Sequence, residues 1–329
     1  MKPLLAVRDL TTVFSLPGGG VARPVDGVSL DLFPGETLAL VGESGSGKTT
    51  LALSLLRLIP EPPGHIDPAS RVELDGTDIL RLEPLALRRV RGGAIGMVFQ
   101  EPGSSLNPVM TVGAQIVETA RLHAGLDRRA ARRRAGALLA DVGLPDTERR
   151  LDQYPHELSG GMQQRVMIAM ALAGGPRVLI ADEPTTALDV TIQLQILDLL
   201  ADLKQRLGLA VLLITHDLGV AARVADRVAV MYGGRIVESA PAARLFERPQ
   251  HPYTEALLRA VPRVDRTGER LPVVRGQPPP ATDWPAGCRF HPRCPHAWER
   301  CRDAEPGLIA FGEQVSRCWL MDEPGRRTP

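Results

Sequence analysis

The sequence predicts an α/β fold whose mostly parallel core sheet is preceded by an antiparallel β region, interrupted by a helical region and followed by a small extension. From Leu38 onward, strand-sized apolar runs alternate with helical stretches, which is the pattern of a parallel sheet. A glycine-rich loop follows the first of these runs and precedes a helix. Proline becomes dense towards the C-terminus, where all four cysteines lie.

Each part of this fold is predicted from its own stretch of sequence. Residues 4 to about 36 alternate β-rich stretches with glycine-containing turns, which indicates an antiparallel sheet. The core strands are predicted at Leu38–Val41, Ile95–Phe99, Val178–Ala181, Ala210–Thr215 and Arg227–Met231. Helical periodicity at Val112–Leu122 and Arg129–Val142 predicts a helical subdomain at about 101–176. A C-terminal extension over residues 251–329 follows a first domain over residues 1–250, with prolines at Pro262, Pro272 and Pro278–Pro280.

Composition excludes several classes of protein. With 44% apolar and 23% charged residues over 329 positions, the chain can bury a full core. Lys plus Arg (39) balances Asp plus Glu (38), so no global charge favours binding to nucleic acid or to an anionic membrane surface. The arginine-rich stretch from Arg128 to Arg134 has the spacing of a solvated helix face.

No apolar stretch of the sequence is long enough to span a membrane. The longest apolar runs, such as Leu209–Ile214, are far shorter than the roughly 20 residues that cross a bilayer. The N-terminus lacks the apolar region and cleavage site of a signal peptide. The expectation is therefore a cytoplasmic protein that does not form a membrane pore by itself.

The glycine-rich loop matches the phosphate-binding pattern G-x-x-x-x-G-K-[ST]. It directly follows the apolar run Thr37–Val41, so its backbone N–H groups can turn towards one anion at the start of a helix. The strand before it and the helix after it argue against a chance glycine-rich turn. The predicted contacts to a polyphosphate are Gly42, Glu43, Ser44, Gly45, Ser46, Gly47, Lys48, Thr49 and Thr50.

A second element of the same chemistry is the apolar run that ends in Asp182 and Glu183. Acids at the carboxyl end of a buried strand can hold Mg²⁺ and orient water in a nucleotide hydrolase. Asp182 is predicted to orient the metal with its water shell, and Glu183 to act as general base. An ordinary strand end with solvated acids is the alternative, which the phosphate loop makes less probable.

The stretch Leu158-Ser159-Gly160-Gly161-Met162-Gln163-Gln164 precedes a helix-compatible run and resembles the LSGGQ-like signature of ABC-type ATPases. The resemblance covers most of the chain, and it implies a P-loop ATPase that binds ATP and Mg²⁺. In this family two ATPase domains face head to tail, so the signature of one acts on the ATP of the other. By this resemblance, the residues that act in trans are Ser159, Gly160, Gly161 and Gln163.

Further motifs arrive in the order of that family. Gln100 resembles the Q-loop glutamine, which contacts Mg²⁺ together with Thr49 and Asp182 and senses the nucleotide state for the membrane partner. Thr186–Asp189 resembles the D-loop at the dimer interface, with Asp189 as its acid. His216 resembles the switch histidine that contacts the γ-phosphate. Phe14 has the position of an aromatic ring stacked on adenine, although it could equally be a core residue.

Longer stretches resemble the oligopeptide/dipeptide importer subfamily. They are residues 100–108, 154–162, 251–254 and 287–295. This resemblance implies a peripheral ATPase at the cytoplasmic face of the membrane that powers peptide import. Its partners would be two transmembrane permeases, a second ATPase subunit, identical or different, and an extracytoplasmic substrate-binding protein, with no nucleic acid. Relatives that import nickel or another small solute share the pattern.

Two other classes of protein share the chemistry of a transporter ATPase or its fold. A soluble ABC ATPase in translation usually joins two ATPase domains in one chain, whereas this chain has one phosphate loop. Members that act in DNA repair carry insertions within the ATPase, whereas these cysteines lie near the C-terminus. A pseudo-ATPase would need a damaged site, but Lys48, Glu183 and His216 are present.

The four cysteines, Cys288, Cys294, Cys301 and Cys318, indicate a metal rather than disulfides if the compartment is reducing. Their spacing lacks the C-x-x-C pairs of zinc ribbons, and four thiolates suit either Zn²⁺ or a [4Fe–4S] cluster. The resemblance to peptide-importer ATPases, some of which hold a [4Fe–4S] cluster there, favours the cluster. Four reduced cysteines without metal are the alternative. Neighbouring cations that would offset cluster charge are Arg289, Arg293 and Arg317.

Overall fold

The computed structural model describes residues 1–186, 188–261, 274 and 276–327. They form two compact units, each with its own strands and helices. The first unit comprises Met1–Leu5, Leu32–Thr37 and Leu74–Ile214, and the second comprises Ala6–Asp31, Leu38–Glu73 and Thr215–Pro329. Ala187 of the predicted D-loop and two of the predicted linker prolines, Pro262 and Pro272, lie outside the described residues.

The strands and helices have the following bounds in chain order. The strands are β1 (Leu5–Ser15), β2 (Val21–Leu32), β3 (Thr37–Val41), β4 (Gly64–Ile66), β5 (Arg71–Leu74), β6 (Thr77–Asp78), β7 (Ile95–Val98), β8 (Val178–Asp182), β9 (Ala210–Thr215), β10 (Arg227–Tyr232), β11 (Arg235–Pro241), β12 (Ile309–Phe311) and β13 (Gln314–Ser316). The α-helices are α1 (Lys48–Leu55), α2 (Pro84–Val90), α3 (Pro102–Ser105), α4 (Val112–Ala124), α5 (Arg128–Asp141), α6 (Thr147–Leu151), α7 (Gly160–Leu172), α8 (Val190–Leu207), α9 (Leu218–Val224), α10 (Ala242–Glu247), α11 (Pro252–Arg259) and α12 (Glu299–Asp303).

In the first unit, β7, β8 and β9 form the predicted parallel sheet. β8 lies between the other two, with Ile95 opposite Val178 and Val178 opposite Ala210. Every residue of β8 and β9 is buried, as expected for parallel strands that are covered on both faces. Because the three strands run in the same direction, their carboxyl ends lie at one edge of the sheet, where α/β proteins place their ligands.

The predicted helical insertion is confirmed, since residues 101–176 contain helices α3 to α7 and no strand, and all of them are described. Side chains cap two of these helices: Thr111 accepts a hydrogen bond from Ala114 N, and Asp127 accepts one from Ala130 N. The arginine-rich face of α5 is solvated, as predicted, and Arg132 pairs there with Asp152 at 3.1 Å. Within the described part of the chain, none of the helices combines the length and apolar character that crossing a membrane requires.

The second unit contains the predicted antiparallel region, which is larger than the sequence indicated. β1 lies beside β2 and β5, and it pairs antiparallel with β4, so that Thr12 is opposite Ile66 and Phe14 is opposite Gly64. The prediction ended this region at about residue 36. It missed β4 and β5, because they are short and come after the phosphate loop, and long-range pairing rather than periodicity brings them to β1.

A second sheet of this unit carries the phosphate loop. β3 pairs in parallel with β10, β10 pairs antiparallel with β11, and β11 pairs antiparallel with β13, which in turn pairs with β12. Strands from beyond residue 251 therefore belong to the same sheet as β3. The core beside it contains three large rings, Tyr232, Tyr253 and Phe290, whose centroids lie 4.6–5.4 Å apart. Two of these rings come from the predicted extension.

Candidate nucleotide-binding site

The glycine-rich loop joins β3 to α1, as the sequence predicted. Lys48, the first residue of α1, is only 5% exposed. Its ammonium group donates to the carbonyl oxygens of Gly42 at 2.8 Å and Glu43 at 2.9 Å. The loop therefore closes around the lysine, which places one buried positive charge at the N-terminus of the helix, where the helix dipole also favours an anion.

Glycine is required at position 47 for two separate reasons. Gly47 precedes α1 with a φ of 105°, in the left-handed region that side chains rarely adopt. A methyl group there would also overlap the carbonyl oxygen of Pro24. Gly45 has a φ of 79°, but a methyl group there would meet no atom within 4 Å. The loop is thus pressed against β2 at its helical end and open at Ser44 and Gly45, both of which are exposed.

The beginning of the same loop is held by residues of the C-terminal extension. The N–H of Glu43 donates to the Tyr253 hydroxyl at 2.9 Å. Both carboxylate oxygens of Glu43 accept from the Arg293 guanidinium, at 2.6 and 3.0 Å. No periodicity connects residues 250 positions apart, so local sequence patterns do not predict this contact.

In the first unit, Gln100 and Glu183 meet at the carboxyl edge of the sheet. Asp182 ends β8 and is 2% exposed. The next residue, Glu183, has a φ of 47°, an uncommon backbone conformation that turns the chain out of the strand. Its carboxylate accepts from Gln100 Nε2 at 3.3 Å and from Thr186 Oγ1 at 2.9 Å. These bonds give the predicted general base a defined orientation.

The signature residues lie on an open cleft of about 560 Å³ in the first unit. Ser159 precedes α7 and is exposed, and among the described residues its hydroxyl caps no N–H group of that helix. Gly160 and Gly161 line the same cleft, as does Asp189. Gln163 differs from them, because its amide donates to the carbonyl oxygens of Pro155 and Leu158 and so braces the loop before the helix.

The remaining predicted residues lie at strand or helix ends. Asp189 caps α8 by accepting from Ile192 N at 2.9 Å. His216 is exposed and directly follows β9, and the next residue, Asp217, caps α9. Phe14 is half-buried on β1 opposite Gly64, where a methyl group on the glycine would crowd its ring. This contact accounts for the position of Phe14 on β1.

The four cysteines line one cavity together with His251 and Trp319. None of the four, all of which are described, forms a disulfide. Burial raises the pKa of Cys288 to about 11 and those of Cys294 and Cys318 to about 12, so these thiols are protonated at neutral pH. Within the described residues, no group of three or more His, Cys, Asp or Glu side chains has an arrangement that could hold a metal ion. The predicted convergence of the cysteines is therefore observed, whereas the predicted metal is not supported.

The fold and the site together define a P-loop ATPase of the ABC type. Comparisons with known proteins agree with this class. The family described as "ABC transporter" matches residues 25–186, and the family described as "Oligopeptide/dipeptide transporter, C-terminal region" matches residues 237–301. A peptide import ATP-binding protein of Brucella abortus is 50% identical over 316 residues, covering 96% of this chain and 94% of its own. A protein of the same description from Brucella ovis is 50% identical over 334 residues, covering 98% of both chains.

Solved structures share the fold of most of the chain. A dimeric ATP-binding cassette bound to ADP and phosphate has a TM-score of 0.63 at 28% identity, covering 72% of this chain and 98% of its own. A Clostridium perfringens protein, part of an ABC transporter complex, has a TM-score of 0.64 at 27% identity, covering 75% of this chain and 92% of its own. The chain belongs to the ABC transporter ATPase family and carries the C-terminal region of its oligopeptide/dipeptide transporter members. Its nucleotide is accordingly ATP.

Proposed function

We propose that this chain is the ATP-hydrolysing subunit of an ABC importer for peptides and acts at the cytoplasmic face of the membrane. The observation that carries the proposal is the Glu183 carboxylate, held by Gln100 and Thr186 at the end of a buried strand. Such a carboxylate can polarise an attacking water without first having to be ordered. The peptide substrate is proposed from the relatives described as peptide import proteins and from the C-terminal family match.

In this proposal the loop from Gly42 to Thr50 binds the phosphates of ATP. Lys48 supplies a charge-assisted hydrogen bond to the outer phosphates. The backbone N–H groups of the loop donate the other hydrogen bonds to the phosphates. The proposed Mg²⁺ ligands Thr49, Gln100 and Asp182 offer the oxygen donors that this ion prefers, and buried Asp182 supplies the negative charge. Bound Mg²⁺ would neutralise charge that develops on the phosphates. Phe14 is proposed to contact adenine, and His216 is proposed to contact the γ-phosphate.

Glu183 is the proposed general base, and its neighbours orient it. Gln100 and Thr186 both donate to the same oxygen, Oε2, and so hold the carboxylate in one orientation. Gln100 follows β7, and the segment after it begins the helical insertion. A displacement of that segment by a permease would therefore move a hydrogen-bond donor of the general base, which is a direct route for coupling transport to hydrolysis.

The signature residues are proposed to act on the ATP of a second ATPase subunit. Ser159 and Gly160 are exposed on an open cleft, and in the described part of the chain the Ser159 hydroxyl accepts no N–H group of α7. A dimeric cassette is among the structural relatives. Gln163 is proposed to act in the same way, and its amide also supports the loop that presents Ser159.

Two permease subunits and an extracytoplasmic substrate-binding protein complete the proposed assembly. The test is reconstitution of the complete transporter in vesicles. The purified chain should hydrolyse ATP slowly, and the assembled transporter should hydrolyse it faster when peptide-loaded binding protein is present. Stimulation by a nickel-loaded binding protein instead of a peptide-loaded one would identify a metal importer. Hydrolysis that neither permease nor binding protein changes would favour a soluble ATPase in translation or DNA repair.

We also retain the cysteine cavity as a proposed site for a [4Fe–4S] cluster, with Zn²⁺ or no metal as the other outcomes. Its support is that Cys288, Cys294, Cys301 and Cys318 all face one cavity without disulfides. Against it stands the lack of a metal-holding arrangement among the described residues. Anaerobic purification followed by iron, sulfide and zinc analysis decides the matter: zinc without sulfide rejects the cluster, and folded protein without any of the three rejects a metal.

A further inference from the structure

The phosphate loop carries an acidic residue, Glu43, at a place where negative charge opposes its function. Glu43 directly follows Gly42 and precedes the residues that wrap around Lys48. An unpaired carboxylate there would repel a polyphosphate, because like charges at short range disfavour binding. The structure pairs this carboxylate with one residue of the C-terminal extension, Arg293.

The pairing has the geometry of a strong ion pair. Two guanidinium nitrogens of Arg293 reach the two carboxylate oxygens of Glu43, at 2.6 and 3.0 Å. Such bidentate pairs fix direction as well as charge. The Arg293 side chain is 4% exposed and the Glu43 side chain 26%, so water screens the pair only in part. The guanidinium also lies 5.7 Å from the Tyr232 ring centroid and 6.0 Å from that of Phe290.

The extension also holds the backbone of the loop. Tyr253 accepts the Glu43 N–H, and burial raises the pKa of its hydroxyl, so the hydroxyl remains protonated and neutral. The far end of the loop is held through the turn Gly233-Gly234, where Gly234 N donates to Ser46 O at 3.1 Å. Arg289 of the extension donates to Gly233 O and pairs with Asp26. The extension therefore contacts the start of the loop directly and its far end through the Gly233-Gly234 turn.

We propose that Arg293 is a positioning residue of the nucleotide site: it neutralises Glu43 and, with Tyr253, fixes the first peptide of the phosphate loop. The C-terminal extension is then part of the support of the ATP site in its own chain. This inference rests on the proposed binding of phosphates by residues 42–49. It concerns ATP affinity rather than the chemical step, because the loop contacts the phosphates in both the ground state and the transition state.

The test measures ATP affinity of the full chain for Arg293→Gln, for Glu43→Gln and for the double variant. Arg293→Gln exposes the Glu43 charge and should weaken ATP binding about 10-fold at low salt, with a smaller defect at high salt because ions screen the repulsion. Adding Glu43→Gln removes the repelling charge, so the double variant should bind ATP more tightly than Arg293→Gln alone. A merely structural role for Arg293 would show neither this rescue nor this salt dependence.

A matched control is Arg300→Gln. Arg300 belongs to the same extension and pairs with Glu323 at 2.9 Å and with Asp322 at 3.2 Å, without an observed contact to the phosphate loop. Its substitution should leave ATP affinity unchanged. Thermal unfolding of each variant establishes that the chain is folded. If Arg293→Gln does not fold, Tyr253→Phe takes its place: loss of the hydroxyl that accepts the Glu43 N–H should weaken ATP binding about threefold.

The outcomes separate this inference from the proposed function. Unchanged affinity in Arg293→Gln, or in Tyr253→Phe where that variant replaces it, overturns the positioning role. An Arg293→Gln defect that Glu43→Gln does not relieve, at any salt concentration, overturns it as well. Lys48→Ala in the same assay tests the loop itself: if that variant binds ATP as tightly as the wild type, the proposed phosphate site fails.

Discussion

The phosphate loop and the signature motif both place small residues and N–H groups at the start of a helix. They differ in how far other residues of the chain hold them in place. The phosphate loop is held at Glu43 and Ser46 by bonds from distant parts of its own unit. Ser159 and Gly160 stand exposed on an open cleft. A binding surface that must work within one chain is fixed by that chain, whereas a surface meant for a second subunit can remain open until that subunit arrives.

Glu183→Gln should have the largest effect and separates turnover from binding. The amide keeps the size of the side chain but cannot take a proton, so turnover should fall at least ~100-fold while ATP binding persists. Steady-state hydrolysis and ATP affinity are measured on the same preparation. Glu118→Gln, an exposed change on α4, is the control and should retain full turnover. Appreciable turnover in Glu183→Gln would remove Glu183 from the role of general base.

Lys48→Ala and Ser159→Ala test the contrast between the two motifs directly. Lys48→Ala removes the buried ammonium group and should lower the ATP affinity of the isolated chain about 10- to 100-fold. Ser159→Ala should leave that affinity unchanged and lower turnover of the assembled transporter about 10-fold. If Ser159→Ala weakened ATP binding by the isolated chain as much as Lys48→Ala, the signature would act in its own chain and the contrast would fail.

Substitutions of two glycines in the phosphate loop should differ in their effect on the free energy of unfolding. Gly47→Ala adds left-handed strain and an overlap with Pro24 O, so it should cost about 3 kcal/mol. Gly45→Ala adds the strain alone and should cost about 1 kcal/mol. Thermal unfolding compares the two variants with the wild type. Equal losses would mean that the packing of β2 against the loop does not determine its conformation.

A further expected effect is a loosening of the extension in acid. Burial lowers the pKa of His251 to about 3, against 6.5 when exposed, and its Nδ1 accepts from Tyr253 N. Between these two values only the unfolded chain binds the proton. The contribution of His251 to stability is therefore complete above pH 6.5. Below that pH the free energy of unfolding decreases by about 1.4 kcal/mol for each unit by which the pH falls. His251→Asn keeps a capping acceptor without titrating.

The melting temperature of the wild type should therefore fall more steeply than that of His251→Asn between pH 6.5 and pH 5. Glu238, whose pKa is raised by burial, accepts the backbone N–H of residue 251 and is present in both proteins, so its opposite contribution cancels. Parallel pH curves for the two proteins would show that His251 does not contribute to acid sensitivity.

Local patterns predicted the elements well and their long-range pairing poorly. The parallel strands and the helical insertion were predicted because apolar periodicity is a property of neighbouring residues. β4 and β5 were missed because short strands are selected by their partners. Arg293 was interpreted as a cation for a metal cluster because it precedes Cys294, yet the structure pairs it with Glu43. Sequence proximity was a poor guide to which charge an arginine neutralises.

By itself the sequence determined the phosphate loop, the acids that end β8, the signature helix and the family to which the chain belongs. Each of these depends on the backbone angles and hydrogen bonds of consecutive residues, so a short pattern specifies it. Only the tertiary structure decided that Tyr253 and Arg293 support the phosphate loop and that the four cysteines share a cavity. Those contacts join residues far apart in the chain, and the packing of the folded core, which no local pattern records, brings them together.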